Sequence, residues 1–333
     1  MKRNVQPRGR RASVSKDPDT PLRVVFLCGF PSSGTDLLKN IVNAHSRVVI
    51  GGESPLLPSL ASKYSAVVER QRFPKLLSDL LRIDIYKNFT NRDFPADVYS
   101  SQKHRFADLY ASLLTTQPAD WVGNKTPQNS ERIRELSHLF PDARFLLIVR
   151  DIRDVAMSWK KKWGKSMLLC AHKWNARMLR CLHDLESIGE QRYLILKYED
   201  LLRETEEVGR EICDFLEIEF EANLLSFHES VEDIVPGKIN YGKPIISENF
   251  EKWRHSLTPN EIRRIEQISF PAMSRFGYSR SHATEAVSIT WSERFLGRLQ
   301  DLWAMAFVGN RALGQRQILY RLRSIRLELM KRL

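Results

Sequence analysis

Residues 23–38, Arg-Val-Val-Phe-Leu-Cys-Gly-Phe-Pro-Ser-Ser-Gly-Thr-Asp-Leu-Leu, run from an apolar stretch through a Gly/Ser turn into a helix start. Backbone N–H groups in such a turn, with a helix N-terminus behind them, converge on one point and bind an anion without a charged side chain. Pro31, Ser32, Ser33, Gly34, Thr35 and Asp36 form the candidate cradle. A nucleotide-kinase loop, G-x-x-x-x-G-K-[ST], would place lysine directly after Gly34, where this chain has Thr35, which weighs against an ordinary ATPase or kinase. A plain strand-to-helix connection is the competing reading, so a second site must support the first. That site is residues 145–159, where an apolar strand ends in Arg150, Asp151 opens a helix, and Ser158 lies about two turns along it. A guanidinium at a strand's carboxyl edge and a hydroxyl on the following helix can hold one further phosphate. Open α/β sheets bind ligands at that edge.

Placing both groups on one edge requires parallel strands joined by helices. Val24 to Cys28 read as a buried strand, and Thr35 as the cap of a helix carrying Leu37, Leu38, Ile41 and Val42. Strands are expected again at Val48–Ile50, Trp121-Val122, Phe145–Val149 and Tyr193–Lys197. Helices are expected near 56–86, 98–116, 130–140, 151–188 and 203–216, and from a capped start at Thr258-Pro259 to Phe276. This alternation predicts an α/β fold, a P-loop-type parallel sheet flanked by helices. At 333 residues, 42% apolar and 28% charged, the chain suits one large domain at 22–285, after a disordered basic segment at 1–21 and before a basic helical tail at 286–333.

On these motifs the chain resembles sulfotransferases that use 3′-phosphoadenosine-5′-phosphosulfate (PAPS), in the branch of bacterial and tyrosylprotein sulfotransferases. The family's 5′-phosphosulfate loop, typically Pro-Arg/Lys-Ser-Gly-Thr-Thr, is matched by Pro31 to Asp36, and its strand-terminal Arg with a Ser eight residues later by Arg150 and Ser158. The stretch from Asn43 to Ser54 resembles the one that carries a catalytic glutamate, here Glu53. Asn124-Lys-Thr-Pro resembles the family's lysine loop, Lys197-Tyr-Glu-Asp-Leu its strand end, placing Tyr198 beside the cofactor, and Lys243 to Trp253 its late cofactor-side segment. Lys238, Asn240 and Lys243 lie in a stretch expected to close over the nucleotide. The likeness covers about residues 22–280. Ser32 stands where the family has a basic residue, which leaves Lys125 to neutralise the transferring group, and Asp36 replaces a threonine, a charge that must point away or pair with Lys39.

The resemblance implies in-line transfer of a sulfuryl group to an acceptor hydroxyl, with Glu53 as general base, Lys125 as electrostatic stabiliser, PAP as product and no metal. A carbohydrate, lipid-linked or small-molecule acceptor is expected. The competing roles are a helix N-terminal charge for Glu53, a solvated lysine for Lys125, a structural ion pair for Arg150 and a plain helix residue for Ser158. His104, placed in a helical stretch, is a reserve base. The rival functions are a P-loop kinase-like phosphotransferase and a non-catalytic nucleotide-binding or membrane-associated protein.

The net charge of +12 is concentrated at the two ends, and no nucleic-acid-binding signature accompanies it. The start of the chain has no apolar stretch of the secretory kind, which predicts a cytoplasmic enzyme. Cys28, Cys170, Cys181 and Cys213 show no paired pattern and read as buried thiols. Trp291, Phe295, Leu299, Leu302, Trp303 and Phe307 recur at helical spacing, and the last 23 residues hold seven Lys/Arg against one Glu. Docking back onto the domain, an anionic membrane surface and oligomerisation are the three roles open to that tail.

Overall fold

Strand β1 (Arg23–Gly29) is buried at every residue but its first, so it has to lie inside a sheet covered on both faces. In chain order it is followed by α1 (Thr35–Asn43), β2 (Val48–Gly51), β3 (Val67–Glu69), α2 (Phe73–Ile83), β4 (Lys103–Arg105), α3 (Phe106–Leu114), β5 (Trp121–Lys125), α4 (Ile133–Leu139) and β6 (Arg144–Val149). Then come α5 (Ile152–Trp163), α6 (Met167–Ile188), β7 (Tyr193–Lys197), α7 (Tyr198–Arg203), α8 (Thr205–Leu216), α9 (Trp253–Ser256), α10 (Pro259–Arg275) and α11 (Trp291–Trp303). The structure, a computed structural model, describes residues 22–115, 117, 119–226 and 248–304. It divides into two units, residues 1–150 with 177–250, and residues 151–176 with 251–333. Residues 1–21, Lys238, Asn240, Lys243 and the tail beyond 304 lie outside the described residues.

The first unit is built on a five-stranded sheet of order β2-β5-β1-β6-β7, with every pairing parallel. Its register sets Leu27 opposite Lys125, Gly51 opposite Asn124 and Gly29 opposite Ile148, so the carboxyl ends of four strands share one edge. The alternation along β1 explains its two covers. Val25 and Leu27 join Leu38, Ile41, Leu146, Ile148, Leu201 and Ile212 in one apolar cluster. Phe26 meets Phe140 and Phe145, with ring centroids 5.1 and 5.6 Å apart, and Phe106 and Tyr110 pack on Phe140. Trp121 Nε1 donates to Leu216 O at 2.8 Å while Arg23 and Arg144 lie over its ring. All four cysteines are buried and none is in a disulfide, as expected.

Several local expectations are corrected. The stretch 56–86 is a 3₁₀ turn at Leu57–Ser62, then β3, then α2. The stretch 98–116 holds β4 ahead of α3, because Val67, Val68 and Glu69 pair antiparallel with Arg105, His104 and Lys103. A partner more than thirty residues away overrides local helical pattern there. His104 is therefore a strand residue, its Nε2 2.9 Å from Val98 O and its ring against Phe73. The helices expected over 151–188 are present as α5 and α6, parted at Gly164, whose left-handed φ of 66° ends α5.

The second unit contains α5, the first part of α6, and α9 to α11. Its α10 opens with the expected capping box between Thr258 and Glu261. Glu266, fully buried, accepts from Arg153 Nη1 at 2.6 Å and from the backbone N–H of Ser281, His282 and Ala283 at 3.0, 2.8 and 2.9 Å. Arg153 also bridges to Asp151 and stacks on Trp253, 3.7 Å from its centroid. Burial pushes the Glu266 carboxyl up, but the three N–H donors and Arg153 outweigh it and hold the group below its ordinary range. A folded value so depressed stabilises the protein above the unfolded carboxylate pKa and loses that contribution as pH falls through the folded one. Glu266→Ala leaves Arg153 partly unmatched and should cost about 3–5 kcal/mol at neutral pH, with a smaller gap from the parent in acid, read by chemical denaturation at two pH values.

Candidate active site

Where β1 ends at Gly29, the chain turns through Phe30 to Gly34 and enters α1. Ser33 N–H donates to Phe30 O at 3.0 Å, and Leu38 N–H closes the first helical turn onto Gly34 O at 3.1 Å. Ser32 and Gly34 take left-handed φ values of 72° and 97°. Gly34, not Thr35, is the cap of α1, and Thr35 is its first helical residue. A Cβ on Gly34 would lie 2.3 Å from Tyr198 Cδ2, so only glycine satisfies both the dihedral and the ring pressed against it. The hydroxyls of Ser32 and Ser33 are buried in this turn without a hydrogen-bond partner. Buried polar atoms are nearly always satisfied, and two adjacent exceptions in an amide-lined turn suit a ligand rich in acceptor oxygens.

Arg150 reaches the same place from the end of β6. Its Nη1 lies 3.5 Å from Ser32 O, its Nη2 donates to Asn249 O at 2.9 Å, and its guanidinium sits 4.2 Å from the Tyr198 ring centroid. Asn249 Nδ2 in turn donates to Tyr198 Oη at 2.8 Å. Loop, Arg150 and Tyr198 are thus brought together. Asn249 ties them to the segment in which the resemblance had placed Lys243. Ser158 is half-buried on α5, in the second unit.

Lys125 ends strand β5 instead of standing in a loop, and its side chain is only 5% exposed. Its Nζ lies 2.8 Å from Glu53 Oε1 and 2.9 Å from Asp36 Oδ1. Asp36 therefore pairs with Lys125, an arrangement absent from the two expected for it. Burial opposes the ammonium charge, but the two carboxylates outweigh that and hold the Lys125 pKa above its ordinary value. Glu53, two residues past β2 and 30% exposed at its side chain, keeps part of its carboxylate open to solvent.

A buried polar network fixes this pair, and sequence reasoning missed it. Glu53 O accepts from Asn88 Nδ2 at 2.7 Å, and Ser54 N–H donates to Thr126 Oγ1 at 2.9 Å. Thr126 Oγ1 and Asn129 Nδ2 both donate to Asn124 Oδ1, whose Nδ2 donates to Tyr110 Oη at 3.0 Å. Burial pushes the Tyr110 phenol up to about 12, so it stays neutral within the network. Asn124 and Thr126 were visible only as neighbours of Lys125. Asn88 and Tyr110 carry no motif. Among the described residues no group of His, Cys, Asp or Glu is arranged to hold a metal ion. The site thus offers an anion cradle, a fixed positive charge and a partly open carboxylate beside it. Gly34→Ala drives a methyl into Tyr198 at a left-handed dihedral, and should lower stability by about 1–3 kcal/mol and abolish phosphate-ester binding at the loop, read by thermal melting with and without ligand.

The sequence profile described as the sulfotransferase family matches residues 24–222. The chain is 26% identical over 272 residues to protein-tyrosine sulfotransferase 2 of Gallus gallus, an alignment covering 77% of this chain and 69% of that protein. Protein-tyrosine sulfotransferase of Drosophila melanogaster is 26% identical over 270 residues, with 77% of this chain and 51% of the relative covered. In fold, the sulfotransferase domain of the Synechococcus PCC 7002 olefin synthase superposes with a TM-score of 0.55 at 22% identity, over 79% of this chain and 98% of that domain. With a phosphate-type loop, strand-end arginine and Lys–Glu pair on one edge of a parallel sheet, and a profile match spanning most of its length, the chain belongs to the sulfotransferase family.

Proposed function

We propose that this enzyme moves a sulfuryl group from PAPS to an acceptor hydroxyl, with Glu53 as general base and Lys125 as the positive charge on the transferring group. The observation that carries the reading is the buried Lys125 ammonium held 2.8 Å from Glu53 and 2.9 Å from Asp36, the second residue of the helix that follows the phosphate-type loop. The partnerless Ser32 and Ser33 hydroxyls and the loop amides fit the 5′-phosphosulfate, and the strand-end Arg150 beside the loop fits the 3′-phosphate. PAPS supplies an activated S–O bond whose cleavage releases PAP.

Glu53 takes the acceptor's hydroxyl proton as its oxygen attacks sulfur, a task for a carboxylate that is anchored through its backbone and open at its oxygens. Lys125 stays protonated through this exchange and offsets the charge that moves from acceptor to leaving group. The stacked Arg150–Tyr198 pair holds one face of the cradle closed. Asp36 competes with the donor for Lys125, and Ser32 adds no positive charge of its own to the loop. The acceptor proposed is a carbohydrate, lipid-linked or small-molecule hydroxyl. The names of the matched animal enzymes add tyrosine peptides to the acceptor screen.

Calorimetric titration with PAP tests the cofactor: the parent should bind, Arg150→Ala should lose at least about tenfold in affinity, and absence of binding by the parent sinks the proposal. Asp36→Asn should tighten PAP by about threefold to tenfold, because one negative charge near the anion is removed. With PAPS and an acceptor found by screening, Glu53→Gln should lower kcat by about 10²–10⁴ while PAP affinity stays near that of the parent. Retained turnover removes Glu53 from the mechanism.

A further inference from the structure

Helix α11 docks onto its own unit by its acidic and small residues and turns its apolar side outward. Glu293 accepts from Arg264 Nε and Nη2, both at 2.6 Å. Asp301 accepts from Ser166 N–H at 2.8 Å and lies 3.8 Å from Lys173 Nζ. Between them Gly297 is buried so tightly that a Cβ would lie 2.7 Å from Leu169 Cγ. Positions 293, 297, 301 and 304 make one helical face. The opposite side carries Trp291, Phe295, Leu296, Leu299, Leu302 and Trp303, between 47% and 79% exposed. Trp291 and Phe295 stack on each other, with centroids 5.5 Å apart. Apart from Val67, every exposed large hydrophobic of the described residues is on this one helix. A contiguous apolar patch on an otherwise well-buried unit marks an interaction surface.

Charge selects the partner. Both carboxylates of α11 are turned inward and paired, so the outward side keeps Arg298 and no acid. Gln300 Nε2 donates to Gly164 O at 3.0 Å, which brings the helix beside the exposed Lys160, Lys161 and Lys162 at the end of α5. In sequence, residues 305–333, outside the described residues, hold seven Lys/Arg against one Glu. A second copy of this surface, or the chain's own basic end, would bring like charge onto like charge. An anionic lipid surface meets both the apolar stripe and its basic surround.

We infer that α11 is an interfacial membrane anchor, lying in the headgroup layer of an anionic phospholipid bilayer with Trp291, Phe295, Leu299, Leu302 and Trp303 inserted. It lies on the bilayer, since no helix among the described residues is long and apolar enough to cross one. Arg298 and Lys160 to Lys162 supply the electrostatic half of the attachment and the apolar stripe the other half.

The test is co-sedimentation of the full chain with vesicles of phosphatidylcholine, with and without roughly one third phosphatidylglycerol, at low and high salt. Binding should be at least about tenfold stronger to the anionic vesicles and should weaken by a similar factor at about 1 M salt. A Phe295→Ser/Leu299→Ser double variant should melt close to the parent yet bind at least about tenfold less, since it removes two inserted side chains and neither is a buried core residue. Absence of vesicle binding by the parent overturns the inference, as does unchanged binding by the double variant. A parent dimer that the double variant converts to monomer, without vesicle binding by either, assigns the stripe to a second copy and overturns it equally.

Discussion

The parallel register of four strands is the constraint from which the site follows. Because β1, β2, β5 and β6 all end on one edge, the Gly29 turn, Glu53, Lys125 and Arg150 emerge side by side from positions far apart in sequence. A slip of one residue in β5 would turn Lys125 to the other face of the sheet, away from Glu53 and Asp36. The two-sided core makes that slip costly. Val25 and Leu27 fill one face while Phe26 fills the other against Phe140 and Phe145.

In the proposed reaction, Lys125 is the point at which folding and chemistry share a group. A buried ammonium is tolerated only with opposite charge beside it, and Glu53 and Asp36 supply two carboxylates for one cation. That arrangement keeps the lysine charged and already aimed before any ligand arrives. It also makes Asp36 a competitor for the positive charge that the proposed anionic donor would use. The loop answers in part with backbone: Ser32 and Gly34 turn it through left-handed dihedrals, and the Ser32 and Ser33 hydroxyls are left buried without a partner. Preorganised neutral donors of this kind bind an anion with little reorganisation.

The second unit is organised by a different buried charge. Glu266 gathers Arg153 and three consecutive backbone amides, and Arg153 carries Asp151 and the Trp253 ring with it. Asp154 accepts from the backbone N–H of Glu251 and Trp253, so the chain returning at 251 is pinned to α5. On this base α11 can spend its acidic residues on docking and leave its apolar residues facing out.

The sequence alone determined what depends on local pattern. The apolar runs of β1 and β6, the missing loop lysine, the strand-end Arg150 and the Thr258 capping box are each readable within a dozen residues, and the family resemblance rests on such stretches. It also singled out Glu53 and Lys125 as residues without saying that they touch. Only the tertiary structure decided the pairings. Asp36 on Lys125, Tyr198 on Gly34, Asn249 on Arg150, and the Asn88, Asn124 and Tyr110 network join residues separated by between fourteen and about one hundred and sixty positions. The strand at 103–105 was hidden for the same reason, since His104 and Arg105 become strand only when Val67 and Val68 lie beside them. Which way α11 faces was equally invisible: its sequence is amphipathic, but the inward side was chosen by Arg264, the Ser166 amide and the space left for Gly297, none of which the helix itself encodes.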